Sequence, residues 1–242
     1  MTDGSGPDVV GYFREGLLVL RRYPMLIVPP LAVQVIVFVL TVLLLGGGLG
    51  IGMIFGGILG GLPGGSVAGL AGLIAGAILL TLLSFLLSLI ASSLVVVMAR
   101  EALAAREPTI GPALDAVMSR FLDVVLISIL LVVIIGLGML FLVLPGLVAA
   151  FFLVFALPAV LLDGSRATEA LGRSARLVRA NLGPVAGFFV GGLLAAVASA
   201  ILSTILEVVP LLGHLAAAVL AGVFISYVTV VGVRVFQSLS RP

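Results

Sequence analysis

The sequence predicts an all-α integral membrane protein, a polytopic bundle of six transmembrane helices. Of its 242 residues, 62% are hydrophobic and 9% are charged, and the mean hydropathy is +1.45. Soluble domains carry about 25% charged residues, so this composition excludes a soluble domain. The few charges separate six apolar runs, each near the length needed to cross a hydrocarbon core of about 30 Å. We therefore expect one membrane domain over residues 1–242.

The first hairpin follows an N-terminal cytoplasmic segment, residues 1–24, that contains an interfacial helix. The hairpin covers residues 25–105 and has its two spans at roughly 25–45 and 67–98. Residues 46–65 between them contain eleven glycines interleaved with apolar side chains. Because glycine weakens a helix, we expect an outer loop there that lies against the membrane or is partly re-entrant. A pore-lining loop is the alternative.

The second hairpin covers residues 106–164, and the third covers residues 165–242. A short segment that carries Arg and has a helical pattern precedes each of the three pairs of spans. This arrangement predicts a weak threefold repeat, in which each unit is an amphipathic helix followed by a two-span hairpin.

The basic residues predict the orientation of the chain. All twelve are Arg, and all lie in the N-terminal segment, in the connections after spans two and four, or near the C-terminus. The opposite connections contain no Arg. The positive-inside rule therefore predicts a multi-pass protein of the cell membrane with both termini in the cytoplasm.

Residues 165–182 predict an amphipathic helix that lies in the membrane interface. Four arginines share one side of this helix, and small or apolar residues fill the other. Asp163 or Ser165 is expected to cap it. We expect the arginines to contact anionic lipid head groups; the alternative is a specific phosphate-bearing ligand held by Arg173 and Arg176. The four residues are Arg166, Arg173, Arg176 and Arg179.

Polar side chains within the spans suggest two further sites. A row of serines at helical spacing in span two is expected to allow close packing between helices; the alternative is that the row, together with Gln34 in span one, lines a narrow polar pathway. The row consists of Ser84, Ser88 and Ser92. Glu207 and His214 flank the turn of the last hairpin and could titrate as a pair; the alternative is that His214 is a wetted boundary residue.

Other chemistry finds little support in the sequence. The chain has no Cys and one His, which excludes thiolate and His-rich metal sites, and we expect neither metal nor cofactor. Its arginines are scattered between apolar runs rather than clustered on a soluble surface, so we expect no nucleic-acid partner. The expected partners are membrane lipids and either further copies of the chain or the other subunits of a membrane complex.

Four short motifs resemble a pattern shared by prokaryotic six-span proteins of unknown function. They are LPG at 144–146, ALP at 156–158, Asp163, and EALGRSARLVRAN at 169–181. Similar proteins include the glycerophosphodiester phosphodiesterase membrane domain and related uncharacterised families. The resemblance implies a six-span fold and a membrane location rather than phosphodiester hydrolysis.

The sequence thus predicts a non-enzymatic membrane protein with a structural or accessory role, organising lipid or a partner complex. The alternative is a small permease or channel for a small solute. A transporter should contain a polar cavity near the midplane, whereas a structural module should have a dry, packed interior.

Overall fold

The computed structural model describes residues 9–59, 65–209 and 212–240, which form ten α-helices and contain no strand. This confirms the predicted all-α fold. In chain order the helices are α1 (Val9–Arg22), α2 (Val28–Leu59), α3 (Gly65–Leu103), α4 (Ile110–Met118), α5 (Phe121–Phe141), α6 (Val143–Leu153), α7 (Ala156–Asp163), α8 (Ala167–Ala180), α9 (Leu182–Leu206) and α10 (Leu212–Ser240).

Six segments are long and apolar enough to cross a membrane, as the sequence predicts. They are Pro24–Leu43, Leu80–Leu103, Phe121–Phe141, Val143–Asp163, Leu182–Leu206 and Leu212–Ser240. Helices α6 and α7 together form the fourth. The short helices α1, α4 and α8 each precede a hairpin, so the order of elements follows the predicted threefold pattern.

The glycine-rich segment differs from the prediction. We expected a loop over 46–65, but α2 continues to Leu59 and α3 already begins at Gly65. Residues 60–64 between them lie outside the described residues. Glycine costs a helix only about 1 kcal/mol per residue relative to Ala, and this preference is weak enough for the surroundings to override.

Helix α10 is the centre of the bundle and packs against α1, α2, α3 and α9. Small residues allow these contacts. A Cβ atom added to Gly222 of α10 would lie 3.4 Å from the backbone of Leu31 in α2, and one added to Gly16 of α1 would lie 2.5 Å from Val231. Such close approach between helices is the use that membrane proteins make of small residues.

Eleven of the twelve arginines lie in the described residues, in elements that meet at one end of the bundle; Arg241 lies outside them. We call this the arginine-rich end: α1, α4, α7, α8 and the C-terminal parts of α3 and α10. Two buried apolar clusters fill it. By contrast, the far end of α5 and most of α9 are exposed, with Leu140 at 79% and Ile201 at 59%. Lipid would cover these apolar surfaces in a bilayer.

Span one enters the membrane through a proline-rich turn. A 3₁₀ turn, Pro24–Ile27, leads into α2, whose third residue is Pro30. Proline has no N–H, so it leaves the carbonyl group of Leu26 without its helical partner. The fully buried hydroxyl of Ser226 in α10 lies 2.9 Å from this carbonyl oxygen and also 2.9 Å from the carbonyl oxygen of Gly222 in its own helix, so its single proton is shared between the two acceptors. Span six therefore offers a donor to the backbone of span one.

Candidate functional site

Helix α8 carries three of the four predicted arginines, and the fourth, Arg166, is the residue directly before it. Its buried face consists of Ala167, Ala170, Ser174 and Val178, all of which are at most 1% exposed. These residues pack with the ends of α5, α7 and α9 in one apolar cluster. The spacing of three or four residues produces a single buried stripe, so the arginines are left on the opposite face.

Ser174 fills a break in the fourth span. Helix α6 ends at Leu153 and α7 begins at Ala156, because the ring of Pro158 conflicts with continued helix four residues earlier. The Ser174 hydroxyl donates to the carbonyl oxygen of Phe152 at 2.8 Å and accepts from the N–H of Phe155 at 3.2 Å. One buried hydroxyl thus satisfies two backbone groups that the break exposes.

The N-terminus of α8 is fixed by residues other than those predicted. The N–H of Ala167 donates to Oδ1 of Asp123 in α5 at 3.3 Å, and the N–H of Arg166 donates to Oε2 of Glu169 at 3.4 Å. Asp163, an expected cap, forms an ion pair with Arg173 instead, with 2.7 Å between Nη2 and Oδ2. A left-handed turn at Gly164, where φ is +73°, directs the chain from α7 into α8.

The four arginines differ in their contacts. Arg173 is engaged by Asp163, and the guanidinium of Arg179 lies 5.8 Å from the ring centre of Phe152, a cation–π distance. Arg166 and Arg176 are exposed, and neither forms an ion pair with a residue that the structure describes. The exposed face of α8 therefore offers these two guanidinium groups to an anion outside the protein.

Gln34, Glu207 and His214, which belong to two different predicted sites, share one pocket. It has a volume of about 270 Å³ and lies between spans one, five and six, at the end opposite the arginines. Ser203 also lines it. The grouping was not predicted, because these residues come from three separate spans.

The serine row of span two does not join this pocket. None of the three serines lines the cavity that contains Gln34. Ser84 donates to the carbonyl oxygen of Leu80 in its own helix at 2.6 Å, Ser88 is exposed, and Ser92 is half-buried. The structure thus brings Gln34 together with Glu207 and His214 rather than with Ser84, Ser88 and Ser92.

A larger cavity, which the sequence did not reveal, lies at the arginine-rich end. Its volume is about 660 Å³, and it is bounded by the C-terminal ends of α3, α7 and α10 and by α4. The charged residues that line it are Arg100, Glu101, Arg106, Asp163 and Arg234. The one available signal was Arg234, a charge inside an otherwise apolar run.

Arg234 is held in place from a different element. Its Nε donates to Oε2 of Glu15 in α1 at 2.7 Å. Within the described ranges, no three side chains of His, Cys, Asp or Glu are grouped as a metal site would require.

Comparison with known families and proteins gives one result. Residues 109–240, more than half of the chain, match the family model described as a domain of unknown function, DUF7847. No curated protein and no solved structure matches the chain. The matched region contains α4 to α10, and so includes α8 and the broken fourth span. The chain therefore belongs to the DUF7847 family.

Proposed function

We propose that this protein is a non-enzymatic membrane protein with a structural or accessory role, and that its arginine-rich end organises anionic lipid or a partner complex. The observation that carries the proposal is the construction of α8. Its buried face is fixed by Ser174 and by Asp123, while Arg166 and Arg176 project from the other face without an ion pair to any described residue. Two guanidinium groups held by a rigid helix at the end of a span can bind lipid phosphates.

The same proposal includes the orientation of the chain across the membrane. With all twelve arginines on one side of six spans, the positive-inside rule places both termini in the cytoplasm. The inner leaflet carries most anionic lipid, and each arginine near it contributes about 1 kcal/mol. We propose that the chain shares its architecture, and no more, with the glycerophosphodiester phosphodiesterase membrane domain.

The lipid proposal is tested by native mass spectrometry of the full chain released from nanodiscs of mixed zwitterionic and anionic lipid. The Arg166→Gln, Arg176→Gln double variant should lose up to about 30-fold of the preference for anionic lipid at low salt, and less at high salt. The Arg→Lys double variant keeps the charge and serves as the control. An unchanged preference in the Gln variant would refute the role of α8.

Orientation can be measured with single cysteines, because the natural chain has no Cys. We expect Val208→Cys to react with an impermeant thiol reagent in intact cells. Thr168→Cys, at the arginine-rich end, should react only after the membrane is opened. The reverse pattern would invert the proposed topology.

A small permease or channel is the second candidate, and the pocket of Gln34, Glu207 and His214 is the observation that favours it. A water-filled pathway through the bundle would make Gln34→Cys react with the impermeant reagent from either side of the membrane. A structural role predicts that Gln34→Cys reacts only from the side opposite the arginines, where its pocket lies. Reaction from both sides would favour the permease and contradict the structural role.

A further inference from the structure

We propose that the cavity at the arginine-rich end binds a small zwitterion that carries a phosphate and an ammonium group. The cavity is distinct from the exposed face of α8, because Arg166 and Arg176 do not line it. Its volume of about 660 Å³ falls within the range of about 300 to 1,000 Å³ that is usual for ligand sites.

The cavity offers cations without partners. Arg100 and Arg106 line it and form no ion pair with any residue in the described ranges. Arg234 adds a third guanidinium, oriented by Glu15 through a single Nε contact. Guanidinium groups bind phosphate oxygens by paired hydrogen bonds, so this set suits a phosphate.

Two residues that line the cavity also carry polar atoms without a hydrogen-bond partner. They are Oε2 of Glu101 and Oγ of Ser240, which are closed off from solvent and find no partner among the described residues. A buried carboxylate oxygen without a donor is costly, and the cost falls when a cationic group lies close to it. An ammonium group in the cavity would bring a positive charge and three donors beside Glu101, and a rotation of that side chain would let Oε2 accept from it.

Because positive and negative side chains both line the cavity, we do not expect a simple anion to be its ligand. A phosphate alone would be attracted by Arg100 and Arg106 but repelled by the unpartnered carboxylate of Glu101. A cation alone would leave the arginines without partners. Phosphoethanolamine has both groups a few bonds apart, and it occurs both as a lipid head group and as a free solute. The position of the cavity at span ends gives access to both sources.

Binding is measured on the full chain in nanodiscs that lack ethanolamine lipid, with four probes: free phosphoethanolamine, inorganic phosphate, ethanolamine, and phosphatidylethanolamine added to the nanodisc. We expect free phosphoethanolamine to bind more tightly than phosphate or ethanolamine if the solute is the source. If the lipid is the source, phosphatidylethanolamine should bind and the free solute should bind weakly. Failure of both to bind would overturn the proposal, and so would inorganic phosphate that binds as tightly as the one that does bind.

Three variants assign the roles. Glu101→Gln should weaken phosphoethanolamine binding about 10- to 100-fold and leave phosphate binding equal or stronger, because only the ammonium contact is lost. Arg106→Gln should weaken the binding of both ligands. Arg21→Gln, at an exposed position of α1 outside the cavity, is the matched control and should change neither. An Arg241→Ala variant tests the residue after Ser240. If phosphate binding is lost in this variant and kept in Arg106→Gln, the roles of Arg100 and Arg106 are contradicted.

These outcomes are independent of the role proposed for α8. Arg166 and Arg176 determine the preference for anionic lipid, whereas Glu101 and Arg106 determine recognition of the zwitterion. Each variant is checked for folding by its thermal unfolding in detergent. A Glu101→Gln protein that is folded and binds phosphoethanolamine as well as the natural chain would refute the ammonium contact.

Discussion

Replacement of Ser174 by Ala tests whether α8 is a structural part of the bundle. The Ser174 side chain is fully buried, and its hydroxyl is the partner of two backbone groups, the carbonyl of Phe152 and the N–H of Phe155. In Ser174→Ala both groups stay buried and lose that partner. No regular helical bond replaces them, because the fourth span is broken at this position.

The magnitude follows from the number of bonds. A side-chain hydrogen bond between membrane helices contributes about 0.6 kcal/mol on average, and one in a protein interior about 1 kcal/mol, with larger costs where a buried group stays unpaired. Two such bonds give a loss of about 1 to 3 kcal/mol in the free energy of unfolding. The unfolding equilibrium constant should therefore rise about 5- to 150-fold.

The assay is reversible unfolding by sodium dodecyl sulfate in mixed micelles, followed by far-UV circular dichroism. Thr168→Ala, an exposed hydroxyl in the same helix, is the matched control and should stay within about 0.5 kcal/mol of the natural chain. Hydrogen exchange gives a local readout, since the Phe155 amide should exchange faster in Ser174→Ala alone. Equal stability of the two variants, with equal exchange at Phe155, would refute the role of Ser174.

Three further substitutions test the packing at the arginine-rich end, each measured by the same unfolding assay. Gly16→Ala should destabilise by about 1 to 3 kcal/mol because its Cβ would lie 2.5 Å from Val231, whereas Gly136→Ala, with nothing within 4 Å, should be neutral or stabilising. Equal effects of the two would contradict the close contact of α1 with α10. Arg173→Gln should cost at most about 1 kcal/mol, and less at high salt, because the Arg173 side chain is 46% exposed in its pair with Asp163; a loss that salt does not change would argue against the ion pair. Ala105→Gly should stabilise by about 1 kcal/mol, since Ala105 has φ of +56° at the end of α3; destabilisation would show that this turn is not left-handed.

The parts of the fold that depend on local sequence were predictable. Span count follows from the length of each apolar run, and the short helices before the hairpins follow from the periodicity of their apolar residues. The prediction of a loop was wrong for residues 46–59, where α2 continues to Leu59. Glycine disfavours a helix by only about 1 kcal/mol per residue, so it is a weak guide to where a helix ends.

The details of the candidate sites depend on contacts between distant residues and were not predictable. Asp163 and Arg173 are ten residues apart, and they meet only because the turn at Gly164 reverses the chain; no helical spacing indicates that pair. The large cavity gathers Arg100, Glu101 and Arg234 from two different hairpins. Each of these residues alone has the pattern of an ordinary charge at a span end.

Proline and buried serine together explain why packing is concentrated at the arginine-rich end. Pro30 lies in the first turn of span one and Pro158 interrupts span four, and a backbone group left unpaired in lipid requires a donor or acceptor from another element. Ser226 meets that need for span one and Ser174 for span four, and both serines are fully buried. Every such bond ties a span to α8 or α10, so these two helices cannot separate from the bundle without exposing backbone groups. The arginines of α8 and the cavity beside α10 are therefore carried on helices that buried hydrogen bonds tie to the bundle, as a surface that binds ligands with a fixed geometry requires.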